Sequence, residues 1–339
     1  MEYRSLGRTG VQVSALTLGS MLLHQIPDEA EAGRLFDQAL DQGINAVDTA
    51  NVYGRGASEE LLGRLLSRSG RRDRLVLSSK FHARMDDDDP NAAGSSRRHV
   101  INECHASLRR LQTDHLDVYY IHRPTSQVPI DETLSALDDL VHAGKIRYIG
   151  TSSFAAWQLI ESLWVSKELH LARVVVEQSP YSLVDRRVER ELLPMARSYG
   201  IGITVWSPLA GGLLTGKYAG DQWPQDARFP RSPASAWEKR HFTPTTKALV
   251  DVLVEMANAN GCTPTQLSLA WILRRPGVSS VVLGMRTANQ LEDQLGALDV
   301  DFTDEDLSRI DELALPGRAT VPYYLDDDFA DWSPALHRW

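Results

Sequence analysis

With 339 residues, 42% of them hydrophobic and 24% charged, the chain has enough apolar material for a large core and too much for a disordered segment. A formal net charge of −9, with no basic stripe of useful length, argues against a nucleic-acid-binding surface. No apolar run approaches the roughly 18 residues a membrane-spanning helix needs, so no membrane partner is expected. The two cysteines, Cys104 and Cys262, match no metal-ligand spacing, and the charged opening MEYRSLGRTG lacks the apolar stretch of a signal peptide; both facts read as a cytoplasmic protein with free thiols.

The first predicted element is a β-hairpin over residues 1–13, where two extended runs flank a Gly-Arg-Thr-Gly turn. Eight short β-branched or apolar runs follow, at 14–20, 44–50, 74–80, 115–122, 146–152, 173–179, 202–208 and 278–284. Amphipathic helical patterns separate them. The segment 28–43 places Ala32, Leu35, Phe36, Ala39 and Leu40 on one face and stops at Gly43. The scheme repeats over 58–68, 96–112, 131–145, 155–170, 186–200 and 287–298. In the segment 155–170, Trp157 and Trp164 stand seven apart, a spacing that predicts helical core positions.

Eight strand–helix repeats predict one α/β domain over 1–339, a (β/α)8 TIM barrel at 14–300 followed by a C-terminal helix and tail at 301–339. Strands that are apolar throughout suit a parallel sheet covered on both faces. A doubly wound sheet would place a Gly-rich turn after its first strand, and LGSMLLHQ lacks one. Two extra helices are expected, at 263–277 and 303–314, and a long irregular loop after strand seven, about 209–245, has the length of a lid. The aromatics after Pro316 predict a tail that docks rather than trails free.

Barrels carry their chemistry at the carboxyl ends of the strands. Strand two ends in Asp48, with Tyr53 five residues on; strand three ends in Lys80 and strand four in His122. Taken singly, these read as a cap, a solvated lysine and a hydrogen-bonded bystander. Closure of a barrel brings all four to one rim. A phenol has a pKa of about 10, too high for efficient proton donation near neutrality. A neighbouring ammonium favours the phenolate. Lys80 is placed to supply that ammonium, Asp48 to keep it charged and fixed, and His122 to donate to an oxygen on which negative charge develops. The set suits carbonyl reduction, with Tyr53 giving the proton and another group the hydride. No metal is called for. The near-P-loop GGLLTGKY has Tyr218 where a magnesium-binding Ser or Thr is needed, and DDDDP at 86–90 reads as a solvated loop.

The segment DTANVYG, the lysine ending VLSSK, the histidine ending DVYYIH, and then GTSSF, WSPLAGGLLTGKY and VVLGMRTANQLEDQLGAL resemble, in order, the motifs of the aldo-keto reductases. HRP at 122–124 and WSPL at 206–209 are most similar to the branch that holds potassium-channel β-subunits and many bacterial reductases. The resemblance implies a catalytic tetrad of Asp48, Tyr53, Lys80 and His122 and an NADPH/NADP+ site without a Rossmann motif. It implies Ser152 and Gln178 at the nicotinamide carboxamide and Trp206 on the nicotinamide ring. Ser207, Leu209 and Lys217 would follow the pyrophosphate, and Gly284, Arg286 and Gln290 the adenosine end, with Asp293 and Gln294 at the adenine. Ser20, Met21, Asp48, Ser153, Pro208, Ala210, Gly212 and Arg228 are implied as further cofactor contacts. Independently, Arg286 and Thr287 open a helix after strand eight, where barrels bind phosphate; a cationic fork there suits a 2′-phosphate. Arg228 or Arg231 is within reach of the same phosphate. Four positions depart from the pattern: Ser153 for the usual Asn or Arg, Asp293 and Gln294 for Glu-Asn, and Met21 for an aromatic, which implies a different substrate pocket.

The expected function is therefore NADPH-dependent reduction of an aldehyde or ketone, a small-molecule carbonyl being the partner. Two alternatives remain open at this stage: a keto-sugar or nucleotide-sugar reductase, and a redox-sensing regulatory subunit of a membrane protein. The sequence does not settle the oligomeric state.

Overall fold

The computed structural model describes residues 1–218 and 241–321. Strands β1 (Tyr3–Ser5) and β2 (Gln12–Ser14) pair antiparallel, with Tyr3 opposite Ser14. Eight parallel strands then close into a barrel: β3 (Leu16–Gly19), β4 (Ala46–Asp48), β5 (Val76–Phe81), β6 (Leu116–Ile121), β7 (Ile146–Ser152), β8 (Val174–Pro180), β9 (Gly202–Trp206) and β10 (Val278–Gly284). β10 returns to pair with β3, Gly284 opposite Gly19. The architecture is the predicted (β/α)8 barrel with an N-terminal hairpin.

Two separate apolar clusters hold it. Between barrel and helices lies a continuous layer to which α1 (Glu29–Asp41) contributes Ala32, Leu35, Phe36, Ala39 and Leu40, the face read from its periodicity. Each fully buried Leu or Phe of this kind stabilises the fold by roughly 1.5–3 kcal/mol. Inside the barrel, Leu6 and Val13 of the hairpin pack with Ala46, Val118, Tyr120, Val175 and Val176, so the hairpin plugs the end at which the strands begin. Gly7 makes the plug fit: it has φ +59, and a Cβ there would lie 2.5 Å from the Gly202 nitrogen. The opposite, carboxyl rim is left for chemistry.

Helices α2 (Ala57–Ser69), α3 (Arg97–Leu111), α4 (Ile130–His142) and α5 (Ala156–Glu168) follow their strands as expected. Both extra helices are present, Pro264–Leu273 and Asp304–Leu313. Each opens on a threonine, Thr263 or Thr303, that caps a backbone N–H while Gln266 or Asp306 bonds back. Helix α6 (Leu192–Tyr199) is shorter than the 186–200 pattern predicts. Pro194 sits in its first turn, where a missing N–H costs nothing; a helix begun at 186 would put it in the interior. Arg187–Glu189 form a separate 3-10 turn, while the buried Arg186 guanidinium reaches Glu189, Asp311 and the Ala314 carbonyl. After β9, residues Ala210–Thr215 form short turns broken by a kink at Gly211 and Gly212, and helix Pro244–Ala259 lies further on. The rest of the expected lid, with Arg228 and Arg231, lies outside the described residues, as does the tail from residue 322.

The reading of Trp157 and Trp164 as core positions is corrected. They are 55% and 62% exposed, and α5 buries Leu159, Ser162, Val165 and Ser166 instead. A seven-residue spacing shows that two side chains share a face, not which face turns inward.

Candidate active site

Asp48 ends β4 and is 3% exposed. Its Oδ2 accepts from Lys80 Nζ at 2.5 Å; its Oδ1 accepts from Ser78 Oγ at 2.8 Å and Gln178 Nε2 at 3.0 Å. Strand pleating explains the convergence. Ser78 and Lys80 are two apart on β5, hence on one face, and Asp48 stands in register with Ser78.

Lys80 has no solvent exposure. Its ammonium protons have three acceptors: Asp48, the Thr49 carbonyl at 2.8 Å and the Tyr53 hydroxyl at 3.4 Å. Burial works against the charge, but the Asp48 carboxylate and Tyr53 outweigh it and hold the lysine above its ordinary pKa. The residue is therefore a fixed cation.

Tyr53 is delivered by a tight turn in which its N–H bonds the Ala50 carbonyl at 3.2 Å. Gly54, Arg55 and Gly56 follow with φ of 60°, 52° and 100°. Glycine takes such backbone without strain, so it stands at two of the three positions, and at Gly56 space adds to the demand: a Cβ would meet the Arg110 side chain at 2.8 Å. His122 follows β6, with its N–H on the Phe81 carbonyl at 3.0 Å and its ring edge-on to Tyr53, centroids 6.0 Å apart. Burial, then the charges of Lys80, Arg123 and His82, push its pKa well below the usual histidine value. A neutral imidazole keeps one N–H to donate.

Of the sequence-predicted cofactor positions, Ser152, Trp206 and Gly284 end β7, β9 and β10, and Gln178 lies near the end of β8. Ser152 Oγ and Ser153 N–H both donate to the Gln178 carbonyl, at 2.9 and 3.1 Å. Ser153 has φ 65°, and its hydroxyl accepts from Arg123 at 2.9 Å. The Arg123 guanidinium also lies 5.7 Å from the ring centre of Trp206, a half-buried side chain ending β9. Beyond it, Ser207, Ala210, Gly211 and Gly212 all adopt positive φ, Pro208 is buried and Leu209 half-buried. The Lys217 ammonium lies over Gly212, where a Cβ would stand 2.9 Å from it. At β10, Gly284 is exposed and Arg286 follows, its N–H on Gln290 Oε1 at 2.8 Å. Gln294 bonds the Gly284 and Gln290 carbonyls.

Like Ser152, Ser153, Gln178, Gln290 and Gln294, two further predicted contacts have their side chains directed to internal partners. Ser20 Oγ bonds Ser58 Oγ at 2.7 Å, and Asp293 accepts from Thr263 Oγ1 at 2.6 Å. Met21 is half-buried beside Ser20. Sequence reasoning passed over Ser78, whose two-residue offset from Lys80 was the available signal, and Arg123, adjacent to His122. Among the described residues no group of three or more His, Cys, Asp or Glu side chains is arranged to hold a metal ion.

A phosphate-bearing dinucleotide fits these groups. The half-buried indole of Trp206 offers an aromatic face, a glycine turn under an ammonium follows at Gly212, and Arg286 stands where helix Ala288–Leu295 begins.

Comparison with known proteins agrees. The model of the Aldo/keto reductase family matches residues 15–315. The chain is 38% identical over 304 residues to a rice (Oryza sativa subsp. japonica) protein named as a probable voltage-gated potassium channel subunit beta, covering 88% of this chain and 92% of that one. It is 37% identical over 325 residues to the Bacillus subtilis uncharacterized oxidoreductase YrpG, covering 94% and 97%. A Schizosaccharomyces pombe protein named as a putative voltage-gated potassium channel subunit beta is 36% identical over 322 residues, covering 92% and 93%.

Proposed function

The chain belongs to the aldo/keto reductase family, and on that premise we propose that it is an NADPH-dependent reductase of aldehydes or ketones in which Tyr53 gives the proton. The observation that carries this reading is the position of one ammonium, 2.5 Å from Asp48 and 3.4 Å from the Tyr53 hydroxyl. When bound, the nicotinamide supplies the hydride. The protein orients and polarises. The neutral His122 donates to the substrate oxygen as its negative charge grows. Tyr53 passes its proton to that oxygen, and the fixed Lys80 cation stabilises the charge left on the phenol oxygen. Ser152 and Gln178 would hold the carboxamide, Trp206 the nicotinamide ring, Lys217 the pyrophosphate and Arg286 the 2′-phosphate. The decisive experiment follows NADPH oxidation over a panel of aldehydes and ketones, sugars included, with Tyr53→Phe alongside. Turnover by the wild type and a loss of at least about 100-fold in the variant is the expected result; unchanged turnover in the variant removes Tyr53 from the mechanism.

The likeness to proteins named as channel β-subunits favours a second reading, a redox-sensing docking subunit that retains nucleotide. That reading predicts bound NADP(H) released far more slowly than any turnover. Rapid exchange of the nucleotide would set it aside.

A further inference from the structure

Glu177 stands one position before Gln178 on β8, is fully buried, and belongs to no part of the cluster described above. Strand alternation sends its side chain to the outer face of the barrel, opposite to that of Gln178. There Oε1 accepts from the Phe154 N–H at 3.2 Å and from Ser179 Oγ at 2.8 Å. Thr151 is its register partner on β7. Among the described residues no basic side chain forms an ion pair with it.

Two consecutive residues of β8 thus grip the turn that follows β7. The Gln178 carbonyl takes Ser152 Oγ and Ser153 N–H; the Glu177 carboxyl takes the next amide, Phe154. The turn needs the grip, because Ser153 sits at φ 65°, a region costly for a residue with a Cβ.

We propose that Glu177 is a positioning residue for cofactor binding: by holding the Phe154 amide it fixes the Ser152–Ser153 turn against β8, so that Ser152 and Gln178 keep the spacing a carboxamide requires. The inference rests on the reading of those two side chains as carboxamide ligands. Burial pushes the Glu177 carboxyl up to about 7, against the pull of the hydrogen bonds from Ser179 and Phe154. An acid held in an apolar layer without a counter-ion is a stability cost that those hydrogen bonds only partly offset.

The test needs no substrate. NADP+ dissociation constants are measured by calorimetry on the full chain for wild type, Glu177→Leu, Glu177→Gln, Ser152→Ala and Gln178→Ala. Leucine fills the volume without an acceptor and should weaken NADP+ about tenfold, in line with the loss of one buried hydrogen-bond acceptor. Glutamine keeps Oε1 and should stay within about threefold. An unchanged constant in folded Glu177→Leu, or equal loss in both Glu177 variants, overturns the proposal. If Ser152→Ala and Gln178→Ala leave binding unchanged, the carboxamide reading itself fails; if they weaken it and Glu177→Leu does not, only the role of Glu177 fails. Amide exchange in the wild type provides a check that needs no variant. Exchange at Phe154 should slow on NADP+ addition, by reciprocity of coupling, and equal rates with and without NADP+ would count against the proposal.

Discussion

The Lys80 ammonium sits 3.4 Å from the Tyr53 hydroxyl, brought there by a strand and a glycine turn 27 residues apart in the chain. The cation is buried and bonded on its far side to Asp48, so it has no freedom to leave. Lys80→Met should therefore act twice. Carbonyl reduction at saturating NADPH should fall by at least about 100-fold, because the charge facing the phenol oxygen is gone. Stability should drop by roughly 3–5 kcal/mol, since Asp48 is left buried without its counter-ion. Initial rates and urea melts on the same preparation separate the effects, and a second change, Asp48→Asn, should recover stability without recovering rate.

Arg286 begins the stretch after β10 and has a planar donor fork suited to a phosphate. In Arg286→Ala, KM for NADPH should rise about 10-fold or more, while KM for NADH stays within about twofold. Equal effects on the two nucleotides would remove the arginine from 2′-phosphate recognition.

His122 is held neutral by burial and by the cations around it. The unfolded chain takes up this proton near pH 6.5, and the folded chain only at much lower pH. The unfolded state then binds more protons, so this group makes stability fall as pH drops below about 6.5 and contributes nothing above it. His122→Gln should flatten that acid limb. The imidazole nitrogen shifts of the wild type should show no titration between pH 6 and 8.

Helices α2 and α3 touch through Gly63, where a Cβ would lie 2.3 Å from the Arg110 carbonyl oxygen. That contact is with backbone and cannot rotate away. Gly63→Ala should cost about 1–3 kcal/mol despite the better helix propensity of alanine. A rise in melting temperature would show that the two helices are free to separate.

Cys104 is fully buried, and burial pushes its thiol up to about 12. In the native protein it should not react with an aromatic disulfide reagent over hours, leaving at most the half-buried Cys262 to titrate. Two thiols per chain should appear once denaturant is added.

Much of this protein is written locally. A two-residue alternation or unbroken apolar run marks each strand, a 3.6-residue period each helix, and threonine caps mark where helices begin. These signals depend only on neighbours in the chain, so the eight strand–helix units could be read off in order. The ends of three strands put Asp48, Lys80 and His122 on one rim as soon as a barrel is assumed. Other features depend on which residues closure brings together. Gln178 reaches Asp48 across 130 positions, and Glu177 faces the opposite way because pleating alternates sides. Arg186 finds Glu189, Asp311 and the Ala314 carbonyl around its buried guanidinium only once the chain is folded. Trp157 and Trp164 share a face that only packing could turn outward. Ser153, Ser207 and Ala210 take left-handed backbone that no glycine announced. Periodicity fixes which side chains travel together; contact energies between distant segments decide which way they point, and those exist only in the closed barrel.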